Sequence, residues 1–227
     1  MGWPGQCRHC VGRTGAFIVM IEKPESVQKA IMKIIDSTIV SKTKFVNLVA
    51  ATYKDRRGNR KQWHMVTRKE RPKCITGRTA QPDATIIVPF HRQANKLVVI
   101  KEFRVTVGGY LYGFPAGLLD PGESLSTAAG RELHEETGLT LVRIYRHSPA
   151  IFSSAGITDE AIAMVFAEVE GRPNTRHTAD SEEIEVFMMG RRALKDLLLR
   201  ADIAFDARAW LVMDAYLSMG KTYFSDG

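Results

Sequence analysis

The chain has 227 residues, 44% of them hydrophobic and 25% charged, and 32 Lys and Arg against 25 Asp and Glu leave a formal net charge of +7. That length and apolar content support a full core, organised as one main domain with an appendage. No apolar run reaches the length of a membrane span and three cysteines make a disulfide framework unlikely, so the chain reads as a soluble, cytoplasmic protein. The positive excess would steer a polyanionic substrate toward the protein and would equally suit nonspecific nucleic-acid contact.

Residues 1–19 read as a disordered leader. The Ala16 to Ile21 run within the first residues is too short for a signal peptide, and Cys7-Arg-His-Cys10 resembles half a zinc site with no second pair at a matching distance. From Pro24 to Ser41, Val27, Ile31, Ile34 and Ile35 recur near helical spacing, which suits an amphipathic helix or an extended arm. Phe45 to Tyr53 and Lys61 to Arg68, rich in Val, Thr and aromatics, flank the turn Asp55-Arg-Arg-Gly-Asn59 and read as a β-hairpin. Residues 20–82 thus form a small, mostly β appendage. The basic stretches Lys54 to Arg60 and Arg68 to Lys73 read as a solvated hairpin tip rather than a binding patch.

Pro72, Gly77 and Pro82 punctuate the join to a main domain at 83–227. Ala84 to Pro89 and Lys96 to Phe103 read as strands joined by the polar His91 to Asn95 loop; Arg143 to Ile151, Ala161 to Glu170 and Ile184 to Met188 supply further strands. Leu194 to Leu199 and Ala207 to Met219 read as helices. This order fits the α/β class, an α/β/α sandwich with a mixed sheet.

The stretch most specific in its chemistry is 117–139, GLLDPGESLSTAAGRELHEETGL. Ser124 can cap a helix at its first turn and Gly138 can end it in the left-handed conformation, which places a helix over Leu125 to Thr137. Leu125, Ala128, Ala129 and Leu133 fall on the side that packs inward. Glu132, Glu135 and Glu136 lie at i, i+3 and i+4, so their carboxylates share one face. Three like charges there need positive charge nearby, and hard carboxylate oxygens suit Mg2+ or Mn2+. Gly130 in mid-helix costs roughly 1 kcal/mol relative to Ala, which a close approach of the preceding loop would explain.

The spacing Gly117, Glu123, Arg131-Glu132-Leu133, Glu135-Glu136, Gly138-Leu139 matches the Nudix box, G-x5-E-x7-R-E-U-x-E-E-x-G-U with U aliphatic, without a mismatch. The chain therefore resembles a Nudix hydrolase, which implies the same sandwich fold. Lys101-Glu-Phe-Arg104, Phe114-Pro-Ala-Gly117 and Ser154-Ala-Gly-Ile-Thr-Asp-Glu160 are similar to the ADP-ribose and nucleoside-diphosphate-sugar pyrophosphatase branch, in which the leading appendage usually exchanges between subunits of a homodimer. Two positions depart from that branch. Gly113 stands where many ADP-ribose enzymes carry Glu, and Ala155 where they carry a proline associated with ADP-ribose preference.

The resemblance assigns Glu132, Glu135, Glu136 and the Ala116 carbonyl to Mg2+. Glu123 would join through water or pair with Arg131, and Arg131 would orient the carboxylates. The base that deprotonates the attacking water in this branch comes from a downstream loop, here Ala179-Asp-Ser-Glu-Glu-Ile-Glu185; Glu182 is the choice, with Asp180 and Glu183 as rivals. Arg104 is the candidate for holding substrate phosphate, because guanidinium matches phosphate bidentately. A purine would stack on Trp63 or Phe45 of the appendage. His91, His134, His147 and His177 show no ligand spacing. The activity implied is Mg2+-dependent hydrolysis of a small nucleoside diphosphate derivative, ADP-ribose to AMP and ribose 5-phosphate, with no membrane and no specific nucleic-acid partner. The alternatives are GDP-mannose, another NDP-sugar or a dinucleotide as substrate, and a noncatalytic Nudix ligand sensor. Every box carboxylate is present, which opposes the sensor.

Overall fold

The structure is a computed structural model and describes residues 32–224. The leader, Cys7, Cys10, Val27 and Ile31 lie outside the described residues. Three strands open the described chain: β1 (Lys33–Lys42), β2 (Asn47–Lys54) and β3 (Arg60–Thr67), an antiparallel sheet in the order β1-β2-β3. Of the two readings of Pro24 to Ser41, the helix is therefore wrong from Lys33 onward. Ile34, Ile35, Ile39 and Val40 are β-branched, and the segment pairs along the whole of β2. The hairpin turn is set by Asp55, whose Oδ1 accepts from the N–H groups of Arg57 and Asn59 at 2.9 Å each.

A second basic stretch is not merely solvated. Lys73, at the start of the short helix α1 (Lys73–Thr76), is only 3% exposed, and its ammonium meets Asp83 at 2.7 Å. Asp83 also accepts from the N–H of Ala161 at 3.0 Å. This pairing satisfies a charge that burial would otherwise penalise.

The main sheet is mixed, with nine strands. They are β4 (Ala84–His91), β5 (Lys96–Arg104), β6 (Gly109–Gly113), β7 (Ala116–Leu118), β8 (Thr140–His147), β9 (Ile151–Phe152), β10 (Ala161–Glu170), β11 (Ile184–Met189) and β12 (Ala204–Phe205). The continuous order is β12-β6-β5-β4-β10-β8; β10 runs parallel to β4 and antiparallel to β8. Arg143 to Ile151 is two pieces rather than one strand, because Pro149 has no N–H for the ladder.

Both faces of the sheet are buried, and side chains alternate between them. Ile86, Val88 and Phe90 of β4 join Leu97 and Val99 of β5 against α3 (Arg191–Leu198), α4 (Ala207–Met219) and the closing 3-10 turn Gly220–Phe224. Ile87, Val98, Val165 and Ala167 face the other way, onto Ala129 and Leu133 of α2 (Leu125–Thr137). The result is the α/β/α sandwich. Among the described residues no helix is long and apolar enough to cross a membrane.

One departure from sheet regularity positions everything that follows. β4 and β5 share only two residue pairs, Phe90 with Leu97 and His91 with Lys96. Beyond them β4 turns to β7 (Ala84–Leu118, Thr85–Gly117 and Ile86–Ala116), while β5 takes β6 on that edge and β11 on the other. The sheet forks there, and the segment Gly113 to Ala116 passes from one arm to the other.

Candidate active site

Helix α2 lies over the β7 arm of the fork. Its limits are those expected: Ser124 Oγ accepts from the N–H of Thr127 at 3.2 Å, and Gly138, at φ 67°, donates its N–H to the carbonyl of His134. Gly138 is required twice, because a Cβ there would also lie 2.1 Å from the Asn174 amide. That close approach belongs to the loop after β10. The Asn174 N–H donates to the Thr137 carbonyl at 2.8 Å, and the Thr178 hydroxyl reaches the Glu135 carbonyl at 3.4 Å. The loop before β11 is thus held along the helix that carries the glutamates.

Arg131 is the hub of the exposed side of the cluster. Its Nε–H and Nη2–H donate to the two oxygens of Glu123 at 3.1 and 3.0 Å, and Nη2 also reaches the Leu118 carbonyl at 3.1 Å. Nη1 serves Glu132 at 2.8 Å and Glu135 at 3.3 Å. Glu123 is paired with Arg131, whose hydrogen bonds hold its carboxyl below the usual range.

Glu136 faces inward and is 5% exposed. Its Oε2 accepts the N–H of Ala116 at 3.2 Å. Burial, reinforced by the charge of Glu102, pushes its carboxyl up to about 9. Glu132 is also raised, again first by burial, against the opposing pull of Arg131. Its carboxylate rests directly on the backbone of Gly117, where a Cβ would meet it at 1.9 Å. Thr85 stands opposite Gly117 on β4, on the same face, and its fully buried hydroxyl has no hydrogen-bond partner. Gly130 does not fit the expectation. A Cβ there would meet nothing within 4 Å, so no close approach of the loop explains this glycine.

The downstream loop reaches the cluster. Glu182 is exposed, its N–H donates to the Ala179 carbonyl at 2.9 Å, and its charge acts on Glu102, Glu132 and Glu136. Glu183 is engaged elsewhere, accepting from the Tyr110 hydroxyl at 2.6 Å. Arg104, at the end of β5, lies beside Ala116 in a small cavity lined also by Glu102, Gly113, Asp206 and Arg208, and it is ion-paired to Glu102 at 2.8 Å. Trp63 and Phe45 are both exposed; the Trp63 indole N–H donates to the Gly156 carbonyl at 3.1 Å.

The structure thus gathers Glu123, Arg131, Glu132, Glu135, Glu136, Ala116 and Glu182 around one arm of the fork, with Arg104 on the other. Three members were not singled out from the sequence. Glu102 was visible two residues before Arg104, hence on the same face of a strand, but its burial was not. Asp206 and Arg208 had no sequence signal at all, because only the fold brings the start of α4 to this cavity.

The donor set suits a hard divalent cation. It offers buried carboxylates whose protonation burial favours, a glycine that lets one of them settle on the backbone, and an unpartnered hydroxyl beside it. Glu132 and Glu135 are held by Arg131, and no three side chains among the described residues stand in ligand geometry.

Comparison with known proteins shows the family and the fold. Residues 80–211 match the NUDIX domain family. The chain is 32% identical over 212 residues to an ADP-ribose pyrophosphatase of Saccharomyces cerevisiae, covering 88% of each chain. It is 31% identical over 188 residues to an ADP-sugar pyrophosphatase of Mus musculus, covering 78% of this chain and 80% of that one. The crystal structure of an ADP compounds hydrolase shares the fold, with a TM-score of 0.61 at 21% identity over 84% of this chain and 96% of that one. The chain belongs to the NUDIX domain family, and it is a Nudix hydrolase.

Proposed function

We propose that this enzyme hydrolyses the diphosphate of ADP-ribose and related ADP-sugars with Mg2+, releasing AMP and a sugar phosphate. The observation that carries the reading is Glu136, a buried carboxylate on the amide of Ala116, with Glu132 seated on Gly117 beside it. Glu132, Glu135 and Glu136, with the Ala116 carbonyl, would hold the cation, which supplies charge neutralisation at the diphosphate oxygens and a more acidic water. Arg131 keeps the carboxylates spaced, and Arg104 binds phosphate. Water attacks phosphorus as the bridging P–O bond breaks. Glu182 takes the water proton, a role supported by its action on three cluster carboxylates and by the engagement of Glu183 with Tyr110.

The relatives named for ADP-ribose and ADP-sugar support the adenosine half of the substrate. The exposed rings of Trp63 and Phe45 are the surfaces on which adenine would stack. The sugar half is more open. Gly113 leaves the cavity beside Arg104 free of a side chain, with the Cβ of Asp206 3.9 Å from where its own would stand, which favours acceptance of sugars other than ribose. A second copy of the chain would cover β1, whose outer edge pairs with no strand among the described residues and whose Ile34, Ile35, Ile39 and Val40 are exposed.

The test is incubation with Mg2+ and ADP-ribose, ADP-glucose, GDP-mannose or NADH, resolving products by chromatography, with Glu136→Gln as control. AMP from ADP-ribose, lost in the variant, is the expected result. Turnover of GDP-mannose alone would overturn the substrate and keep the enzyme.

A further inference from the structure

Glu102 and Arg104 leave the same face of β5, and a guanidinium nitrogen of Arg104 meets Glu102 Oε2 at 2.8 Å. The two partners live in different surroundings. Glu102 is 9% exposed, on a strand held by β11 on one side and by β6 on the other, where it pairs with Ile184 and Leu111. Arg104 is exposed, at the mouth of the cavity. A rigid, buried acid beneath an accessible base fixes the direction of the base.

The direction matters because Arg104 is the guanidinium of this cavity with donors to spare. Arg208, across from it, is occupied: its Nε–H donates to Asp206 Oδ1 at 3.0 Å, Nη2 to Asp206 Oδ2, and Nη1 to the Ser153 hydroxyl at 3.1 Å. A guanidinium carries five N–H groups, so the contact with Glu102 leaves most of those on Arg104 free for an anion. Arg104 and Ala116 line the same cavity, together with Gly113, which adds no side chain to its wall.

We propose that Glu102 is a positioning residue for substrate binding: its ion pair holds the Arg104 guanidinium beside Ala116, aimed at the diphosphate. This rests on the reading of Arg104 as the phosphate-binding residue. Without the Glu102 charge Arg104 is released to swing into solvent, and affinity falls while the chemical step, carried by the α2 carboxylates and Glu182, does not.

The experiment compares wild type, Glu102→Gln, Glu102→Asp, Arg104→Ala and the double variant Glu102→Gln/Arg104→Ala. It reads the calorimetric Kd of imidodiphosphate with Mg2+, a diphosphate with a bridge that resists hydrolysis, together with kcat and KM for ADP-ribose; thermal melts check the fold. Expected are a roughly tenfold weaker Kd and higher KM for Glu102→Gln with kcat within about threefold, an intermediate effect for Glu102→Asp, and no further loss from Glu102→Gln once Arg104 is alanine. If Arg104→Ala weakens Kd but Glu102→Gln does not, the positioning role is overturned and the role of Arg104 stands. If Arg104→Ala leaves Kd unchanged, the reading of Arg104 fails and the proposal with it. A loss of kcat at unchanged Kd would place Glu102 with the cation ligands and overturn the proposal. Should Glu102→Gln not fold, Glu102→Asp alone and with Arg104→Ala decides the same question.

Discussion

The Glu132 carboxylate occupies the space that a side chain at position 117 would need: a Cβ on Gly117 would lie 1.9 Å from its carboxyl carbon. The obstacle is the end of a flexible side chain, so Gly117→Ala folds but pushes Glu132 off its seat. We expect a loss of kcat of about a hundredfold, the scale on which misplacement of a reacting group by an ångström is felt, with the melting temperature nearly unchanged. Equal losses of stability and activity would contradict this.

With Glu136 as the proposed cation ligand, cation binding is coupled to folding. Its buried carboxyl is pushed up to about 9, so at neutral pH the folded protein without a cation keeps that group protonated, and a bound cation replaces the proton. Mg2+ at a hundred times its Kd should stabilise the wild type by about 2.7 kcal/mol, seen as a rise in melting temperature over the same sample in EDTA. In Glu136→Gln most of that rise should vanish while the melt in EDTA stays close to wild type.

Asp83 is the group whose pH dependence has the opposite sign. Burial pushes its carboxyl up, but the Ala161 N–H and the ammonium groups of Lys73 and Lys69 outweigh this and hold it below the ordinary value. A depressed carboxylate contributes stability that is present above the unfolded-state value, about 3.9, and is lost as pH falls through the folded value. Asp83→Asn, which strands the Lys73 charge, should cost about 3 kcal/mol in urea unfolding at pH 7. The gap from wild type should close as pH falls through the lowered folded-state value.

Gly130 is a position where the enzyme can be improved. It sits in mid-helix with open space where a Cβ would go and without a positive φ. Gly130→Ala should raise unfolding free energy by about 1 kcal/mol and leave kcat unchanged, as denaturant titration and a rate assay would show. A fall in stability would mean that the glycine serves a contact absent from this arrangement.

Helix α2 was legible in the sequence to the residue, because its signals are local: a Ser124 hydroxyl at one end, Gly138 at the other, and glutamates on a 3.6-residue period between them. The opposite wall of the cleft was not. β6 and β7 are short stretches broken by Gly113 and Pro115, and their strand character comes from the neighbours they meet rather than from their own residues. Glu102 was readable as a strand residue, but its burial depends on β6 and β11 closing on both sides of β5. The segment from Lys33 carried a helical spacing that its β-branched content and its long partner β2 overrode.

The fork between β4 and β5 makes the cleft a pair of tongs joined at two rungs, Phe90 with Leu97 and His91 with Lys96. Arg104, the proposed phosphate-binding residue, rides one jaw, and Ala116 and Gly117, beneath the glutamates, ride the other. Length changes therefore have unequal effects on the two sides of the joint. Residues added to the turn at 92–95 are taken up behind it, whereas one residue added to either jaw shifts the positions beyond it by about 3.3 Å and turns their side chains to the opposite face.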